Sequence, residues 1–411
     1  MSASAPRQPL KPLDEALIEL LSHAAPLGRT LSVSTFDADG RVLAQDLVAE
    51  LDVPAHDNSA MDGYAVRTAD WASASTVLQV NQRIPAGSSG AALAPMSAAR
   101  IFTGAPIPSG ADAVVMQEDC TLPLDGSVSL TTQPRAGQWI RQRGEDVRLG
   151  STVLYKGELL APESIGLAAS IGFANLLVAA PVRVALFSTG DELVMPGQVA
   201  PQDMKPGAIY NSNRFFLRAL LQRLGCAVTD MGIVPDKLDA TKAALAQASA
   251  VHDLVLTSGG VSVGEEDHIK PAVQALGQLN LWQIAMKPGK PFAYGKINAA
   301  HFIGLPGNPV SSFVTFLLLV RPFIRKLQGA NSVAPESIAA RADFDWAKAD
   351  KRREFLRVKR NLAGGLDLFK NQSSGVLTSA VWADGLLDNP GGQTIARGDT
   401  VLFFPFSSLM S

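Results

Sequence analysis

Three loops in the second half of the chain hold residue types suited to binding an anion. They are Ser188-Thr189-Gly190-Asp191-Glu192, Ser258-Gly259-Gly260-Val261-Ser262-Val263-Gly264 and Leu305-Pro306-Gly307-Asn308-Pro309-Val310-Ser311-Ser312. Glycine lets backbone N–H groups come close to an anion, and a helix opening after Pro309 adds the positive end of its dipole. One such loop is as easily a plain turn. Three of them, each following an apolar stretch, point to an anion site.

Acids crowd the same loops. Asp191 and Glu192 close the first, Glu265, Glu266 and Asp267 follow the second, and Asp236 ends a further strand-like stretch. Taken singly, each reads as a helix cap or a solvated charge. Taken together they conflict with an anion, because a carboxylate about 4 Å from a phosphate charge costs about 4 kcal/mol at an effective dielectric near 20. A cation between them removes the conflict, and Mg²⁺ commonly joins one or two carboxylates to phosphate oxygens. Acids beside these loops therefore predict a divalent metal. Lys287 and Lys290, within Met286-Lys287-Pro288-Gly289-Lys290-Pro291, supply the opposite sign. Flanking prolines hold the two ammonium groups near each other, which calls for an anion; the plainer reading is an exposed basic turn.

The elements that position these loops follow from periodicity. Residues 182–187 (VRVALF), 253–256 (DLVL) and 299–303 read as strands, and 213–224 and 310–327 as helices. Strands alternating with helices, each strand ending in a glycine-bearing loop, indicate a doubly wound parallel α/β domain that binds ligands at its strand carboxyl ends. Residues 13–22 have helical spacing with two acids in the first turn. Residues 162–172 form a helix with Pro at its start and Gly at its end. Between about residues 52 and 150, short β-like pieces at 77–80, 100–102 and 113–116 alternate with Gly/Pro/Ser loops, and short strands return after about residue 329, ending at 400–406.

Composition narrows the function further. A chain of 411 residues needs several cores, and 47% hydrophobic with 18% charged residues suits a well-buried globular protein. The formal charge of −2 and the lack of a basic stripe argue against nucleic acid as a partner. Two cysteines, Cys120 and Cys226, make neither a disulfide framework nor a zinc cluster and read as small buried hydrophobes. The longest apolar run, 314–320, is too short for a bilayer span. The N-terminus lacks a signal-peptide core, so a cytoplasmic location is the default. Five histidines, none set as a triad or metal pair, give no support to a Ser-His-Asp hydrolase.

At this point the motifs resemble a known family. PxxDNSAMDGYAVR, FTGAP, GADAVVMQE, RGED, STGDEL, SGGVSVGEED, KPGKP and GLPGNPVS occur in order and together resemble the MoeA family, which includes the E domain of gephyrin. The resemblance runs from about residue 13 to the C-terminus. It implies a molybdopterin molybdenumtransferase that inserts molybdenum from molybdate into adenylated molybdopterin and releases AMP, assisted by Mg²⁺. It also implies an elongated homodimer with four domains: an α/β domain of residues 1–26 and 183–329, a linking and dimerisation domain of 27–50 and 150–182, an inserted β-rich domain of 51–149, and a C-terminal β-rich domain of 330–411. Each cleft would combine the inserted domain of one subunit with the α/β and C-terminal domains of the other.

Carried over by position, the family's catalytic residues fall on Asp62, Thr103, Glu192, Asp236 and Asp267, and its metal-holding acids on Asp146, Glu192, Asp236 and Asp267. Substrate would be held by Ser258, Gly259, Gly260, Lys287, Lys290, Pro306, Asn308, Ser311, Arg353 and Ser374. The Thr103 and Ser374 hydroxyls suit molybdate or phosphate oxygens, and Arg353 offers a rigid fork for an oxyanion. His268-Ile269 stands where relatives commonly have Tyr-Thr. The resemblance further implies as partners the adenylyltransferase of the preceding step and the molybdoenzymes that receive the cofactor, with neither nucleic acid nor membrane. Two other readings stay open: adenylate transfer from ATP to molybdopterin, known for single α/β domains that share the SGG loop, and a scaffold presenting a peptide groove.

Overall fold

The computed structural model describes residues 10–261 and 268–410. Its central sheet has six strands in the order Ala227–Val234, Arg183–Thr189, Leu254–Ser258, Ala300–Leu305, Pro291–Ile297, Gly277–Gln283. The first four run parallel. The last two add an antiparallel edge, which the strand-and-helix alternation in the sequence does not announce.

Strand Arg183–Thr189 is buried after its first residue because both faces of the sheet are covered. Its alternate residues serve two different cores. Val184 and Leu186 join Leu217, Leu220 and Leu221 of helix Asn213–Arg223 on one face. Ala185 and Phe187 meet Leu245 and Ala248 of helix Leu238–Val251 and Ala272 and Val273 of helix Ile269–Leu276 on the other. Helix Leu13–Ser22 returns to the first core through Leu13, Ala16 and Leu20.

The apolar stretch after Pro309 is helical throughout, as its composition suggests, but not uniformly α. An α segment Pro309–Thr315 leads into a π segment Phe316–Val320 and then α segment Arg321–Leu327. Pro322 has no N–H to continue the ladder, and a wider π turn just ahead of it absorbs the break.

Three further cores flank this one. Strand Thr30–Ser34 pairs with Asn175–Ala179, and Leu47–Val48 with Thr152–Leu154, around a small core that includes Leu43, Leu47, Leu160 and Leu176. The chain between them forms a six-stranded sheet in the order Ala113–Met116, Gly63–Val66, Ser97–Ile101, Val77–Ile84, Ser127–Leu130, Cys120–Thr121. The C-terminal strands Arg353–Arg360, Gly365–Leu368, Ile338–Ala342, Thr400–Pro405 and Gly385–Asn389 close into a barrel, since the first also pairs with the last. Cys226 is buried and Cys120 half-buried, both as free thiols that burial pushes up to about 12.

His301, on strand Ala300–Leu305, is 8% exposed. Its Nδ1 shares a hydrogen bond of 3.0 Å with the Tyr294 hydroxyl, and Phe323 meets its ring edge-on. Burial, followed by the charge of Lys296, holds its pKa down at about 4. The unfolded chain therefore takes up this proton first as pH falls. The stability contribution is complete above about pH 6.5 and is lost on the way down to pH 4. Urea unfolding should show a loss on the order of 1–2 kcal/mol across that window, and His301→Gln should flatten the slope there.

Candidate active site

The carboxyl ends of the parallel strands open onto a hollow of about 730 Å³. Thr189 and Gly190 come from the end of the first strand, Ser258, Gly259 and Gly260 from the next, and Pro306, Gly307 and Asn308 from the third. One side chain ties two of these loops together. The buried Asn213, opening its helix, donates from Nδ2 to Ser258 Oγ and to the Gly307 carbonyl, each at 2.7 Å. Gly259 and Gly260 have φ of +94° and +68°, a region that favours glycine. A Cβ on Gly259 would sit 2.9 Å from the Thr189 carbonyl oxygen, and one on Gly260 would sit 2.5 Å from Ile269 Cγ1. These positions therefore accept nothing larger.

Glu192 and Asp236 line this hollow, and the Asp236 N–H donates to Asp191 Oδ1 at 3.5 Å, so the two acidic loops meet. Asn211 also lines it. Its Oδ1 accepts from the Arg214 N–H at 3.2 Å, while its buried Nδ2 has no partner among the described residues.

A second hollow of about 390 Å³ shares Pro291, Asn308 and Ser311 with the first. Its other walls are the Lys287–Lys290 loop, Arg352, and Gln372, Ser373 and Ser374. The lysine loop belongs to two sheets at once: Met286–Lys287 pairs with Arg353 and Glu354 of the barrel, and Pro291 begins an α/β strand. Lys287 Nζ lies 2.9 Å from the buried Glu354 carboxylate and 3.4 Å from Asp350. Trp346 Nε1 donates to the other Glu354 oxygen at 2.8 Å. Arg352 pairs with Asp350 at 2.9 Å, a hydrogen bond that holds the Asp350 carboxyl well below the usual carboxylate range. Lys287 thus has counter-charges within the chain, contrary to the expectation that both lysines wait for an anion. Lys290 has no carboxylate partner among the described residues.

The structure brings many of the expected residues together. Glu192, Asp236, Ser258, Gly259, Gly260 and Pro306 line the first hollow, Lys287, Lys290 and Ser374 the second, and Asn308 and Ser311 both. Arg353 is a correction. Its guanidinium forks onto Asp388 at 2.7 and 2.6 Å and reaches Asp14 at 2.8 Å, which raises its pKa and leaves no fork for substrate. The neighbouring Arg352 lines the second hollow instead. Successive strand residues face opposite sides, so a shift of one position decides which arginine faces the hollow.

Asp62, Thr103 and Asp146 line neither hollow. Asp62 Oδ1 accepts from the Thr103 N–H at 2.8 Å and its hydroxyl at 2.9 Å, in that order holding the Asp62 carboxyl below its usual range. Asp146 is exposed beside Val53, whose carbonyl accepts its N–H at 3.0 Å. Asp267 lies outside the described residues, and no group of three metal-ligating side chains occurs among those described. Sequence reasoning passed over Asn211, Asn213, Arg352 and Gln372. The Tyr-Asn-Ser-Asn run ahead of a helix carried the same strand-end signal as the three loops already chosen.

Residues 11–172 match the model of the MoeA N-terminal region (domain I and II), 185–326 that of a probable molybdopterin binding domain, and 339–406 that of the MoeA C-terminal region (domain IV). A Haemophilus influenzae protein named molybdopterin molybdenumtransferase is 40% identical over 407 residues, covering 97% of this chain and 99% of that one. The chain belongs to the MoeA family. A Mycobacterium tuberculosis protein named molybdopterin molybdenumtransferase 2 is 37% identical over 88% of this chain and 91% of its own length. The crystal structure of a molybdopterin biosynthesis MoeA protein from Pyrococcus horikoshii superimposes with a TM-score of 0.84 at 30% identity, covering 97% of this chain and 100% of that one. The MoeA fold, with its α/β molybdopterin-binding domain and C-terminal β-rich domain, is thus the architecture described above. No helix among the described residues is long and apolar enough to cross a membrane.

Three variants test this geometry by denaturant unfolding. Asn213→Ala should cost about 1–3 kcal/mol, because Ser258 and the Gly307 carbonyl lose their shared donor. Arg353→Met strands the buried Asp388 and should cost about 3–5 kcal/mol. Arg352→Met should cost far less, since Asp350 keeps Lys287 in reach.

Proposed function

We propose that this protein is a molybdopterin molybdenumtransferase that inserts molybdenum from molybdate into adenylated molybdopterin and releases AMP. The observation that carries the reading is the pair of confluent hollows with opposite equipment. The first offers close-approach glycines and two carboxylates; the second is lined by Lys287, Lys290 and Arg352. A nucleotide phosphate fits the first. The Gly259 N–H is held by the Leu305 carbonyl and the Val310 N–H by the Ser374 carbonyl, so what faces an anion there is the positive end of the helix beginning at Pro309 and the Asn211 Nδ2, which has no partner among the described residues.

Molybdate, a tetrahedral dianion, suits the second hollow. Lys290 supplies charge there, and the Ser374 hydroxyl donates to an oxygen. The shared wall of Pro291, Asn308 and Ser311 sets the two substrates side by side, which is what transfer between them requires.

Mg²⁺ fits the donor set. Glu192 and Asp236 bring hard oxygen ligands from separate loops to one rim, and the first hollow leaves space for phosphate oxygens to complete the shell. Asp267 and Asp146 are the proposed further ligands. When bound, the ion offsets charge on the phosphoryl group. A cytoplasmic homodimer completes the reading, with the inserted sheet of a second copy bringing Asp62, Thr103 and Asp146 to this cleft.

The test is AMP release from adenylated molybdopterin on adding molybdate, without ATP. Glu192→Gln, Asp236→Asn and Asp267→Asn should each slow release about 100-fold with unchanged thermal unfolding, and chelation of Mg²⁺ should do the same to the unmodified protein. Undiminished release in all three variants would overturn the roles assigned to these acids.

A further inference from the structure

Behind the second hollow lies a cation that no described carboxylate offsets. Arg357, on strand Arg353–Arg360, is 1% exposed. Its Nε donates to Ser379 Oγ at 3.1 Å, Nη1 to the Phe355 carbonyl at 3.1 Å, and Nη2 to the Ser373 carbonyl at 3.3 Å. All three partners are neutral. Burial pushes its pKa down to about 10, so the group is still charged at neutral pH. Its neighbours differ: Arg353 has Asp388 and Asp14, Arg352 has Asp350, and Lys287 has Glu354 and Asp350. A buried charge without a counter-ion is costly, and the cost falls when an anion settles nearby.

The groups Arg357 holds are the wall of that hollow. The Gln372 carboxamide bonds both ends of the Arg357 peptide unit: Oε1 accepts from its N–H at 2.9 Å, and Nε2 donates to its carbonyl at 3.0 Å. The guanidinium grips the Ser373 carbonyl, and the Ser374 carbonyl accepts from the Val310 N–H at 2.9 Å. Gln372, Ser373 and Ser374 are therefore strung between a buried cation and the start of the long helix, and all three line the second hollow.

We propose that Arg357 is a positioning residue for the oxyanion of the second hollow. Its fork fixes the Gln372-Ser373-Ser374 wall, and its uncompensated charge is completed by the bound anion. The proposal rests on reading that hollow as the molybdate subsite.

Calorimetry on the full chain, titrating molybdate and, separately, AMP, tests it with Lys290→Gln, Arg357→Lys and Arg357→Met. Arg357→Met should weaken molybdate binding at least about tenfold. Arg357→Lys keeps the charge but cannot reach three acceptors at once, so its loss should be smaller, about threefold. AMP binding should change less than about twofold in both. Unchanged molybdate affinity in Arg357→Met, or equal losses for AMP and molybdate, would overturn the proposal, the second by showing a merely structural role. If Arg357→Met does not fold, Arg357→Lys decides: a selective loss supports the proposal and unaltered affinity overturns it. Failure of the underlying reading has a different signature, namely wild-type protein that ignores molybdate or Lys290→Gln that binds it undiminished.

Discussion

The two loops that cradle the first hollow are held by one carboxamide. Asn213 Nδ2 reaches Ser258 Oγ and the Gly307 carbonyl together, so the Ser-Gly-Gly turn and the Pro-Gly-Asn-Pro turn cannot shift independently. Everything placed around them inherits that fixity: the glycine N–H groups, the helix start at Pro309, and Ser311 on the wall between the hollows. The carboxamide is buried in a region of low dielectric, where a missing partner is expensive. That penalty makes the arrangement specific rather than merely permitted.

Charge compensation is divided unevenly between the two hollows. Around the second, Glu354 and Asp350 absorb Lys287 and Arg352, which leaves Lys290 and, behind the wall, Arg357 without a carboxylate partner among the described residues. Around the first, Glu192 and Asp236 share one rim. A guest carrying several negative charges thus meets pre-paired cations and only a modest surplus of positive charge. Such an arrangement limits the repulsion an empty site would suffer and keeps the field focused on the mouth.

Much of this was legible in the residues. Runs such as VRVALF and DLVL announce strands buried on both faces, and glycine-bearing turns after them announce a site at the strand ends. What escaped the reading had physical reasons. The antiparallel edge Pro291–Ile297 and Gly277–Gln283 carries mixed residues, including Gly295, Lys296, Gln278 and Asn280, whose spacing spells neither a buried strand nor a helix. Arg352 rather than Arg353 lines the second hollow because adjacent residues of one strand point opposite ways, and composition is blind to the pleat. The partners of Lys287 lie 63 and 67 positions away, beyond any local pattern. The residues Asp62, Thr103 and Asp146 were found by motif resemblance, since within their own segment they read as turns.

The lysine loop is stitched at one end into the barrel and at the other into the α/β sheet. Met286 and Lys287 run beside Arg353 and Glu354, while Pro291 opens a strand that pairs antiparallel with Ala300–Leu305 and Gly277–Gln283 of the α/β sheet. The loop therefore ties the barrel to the α/β sheet by backbone pairing at both ends. A rotation of the barrel against the sheet would carry Lys290 with it and reshape the second hollow, whose wall this loop forms.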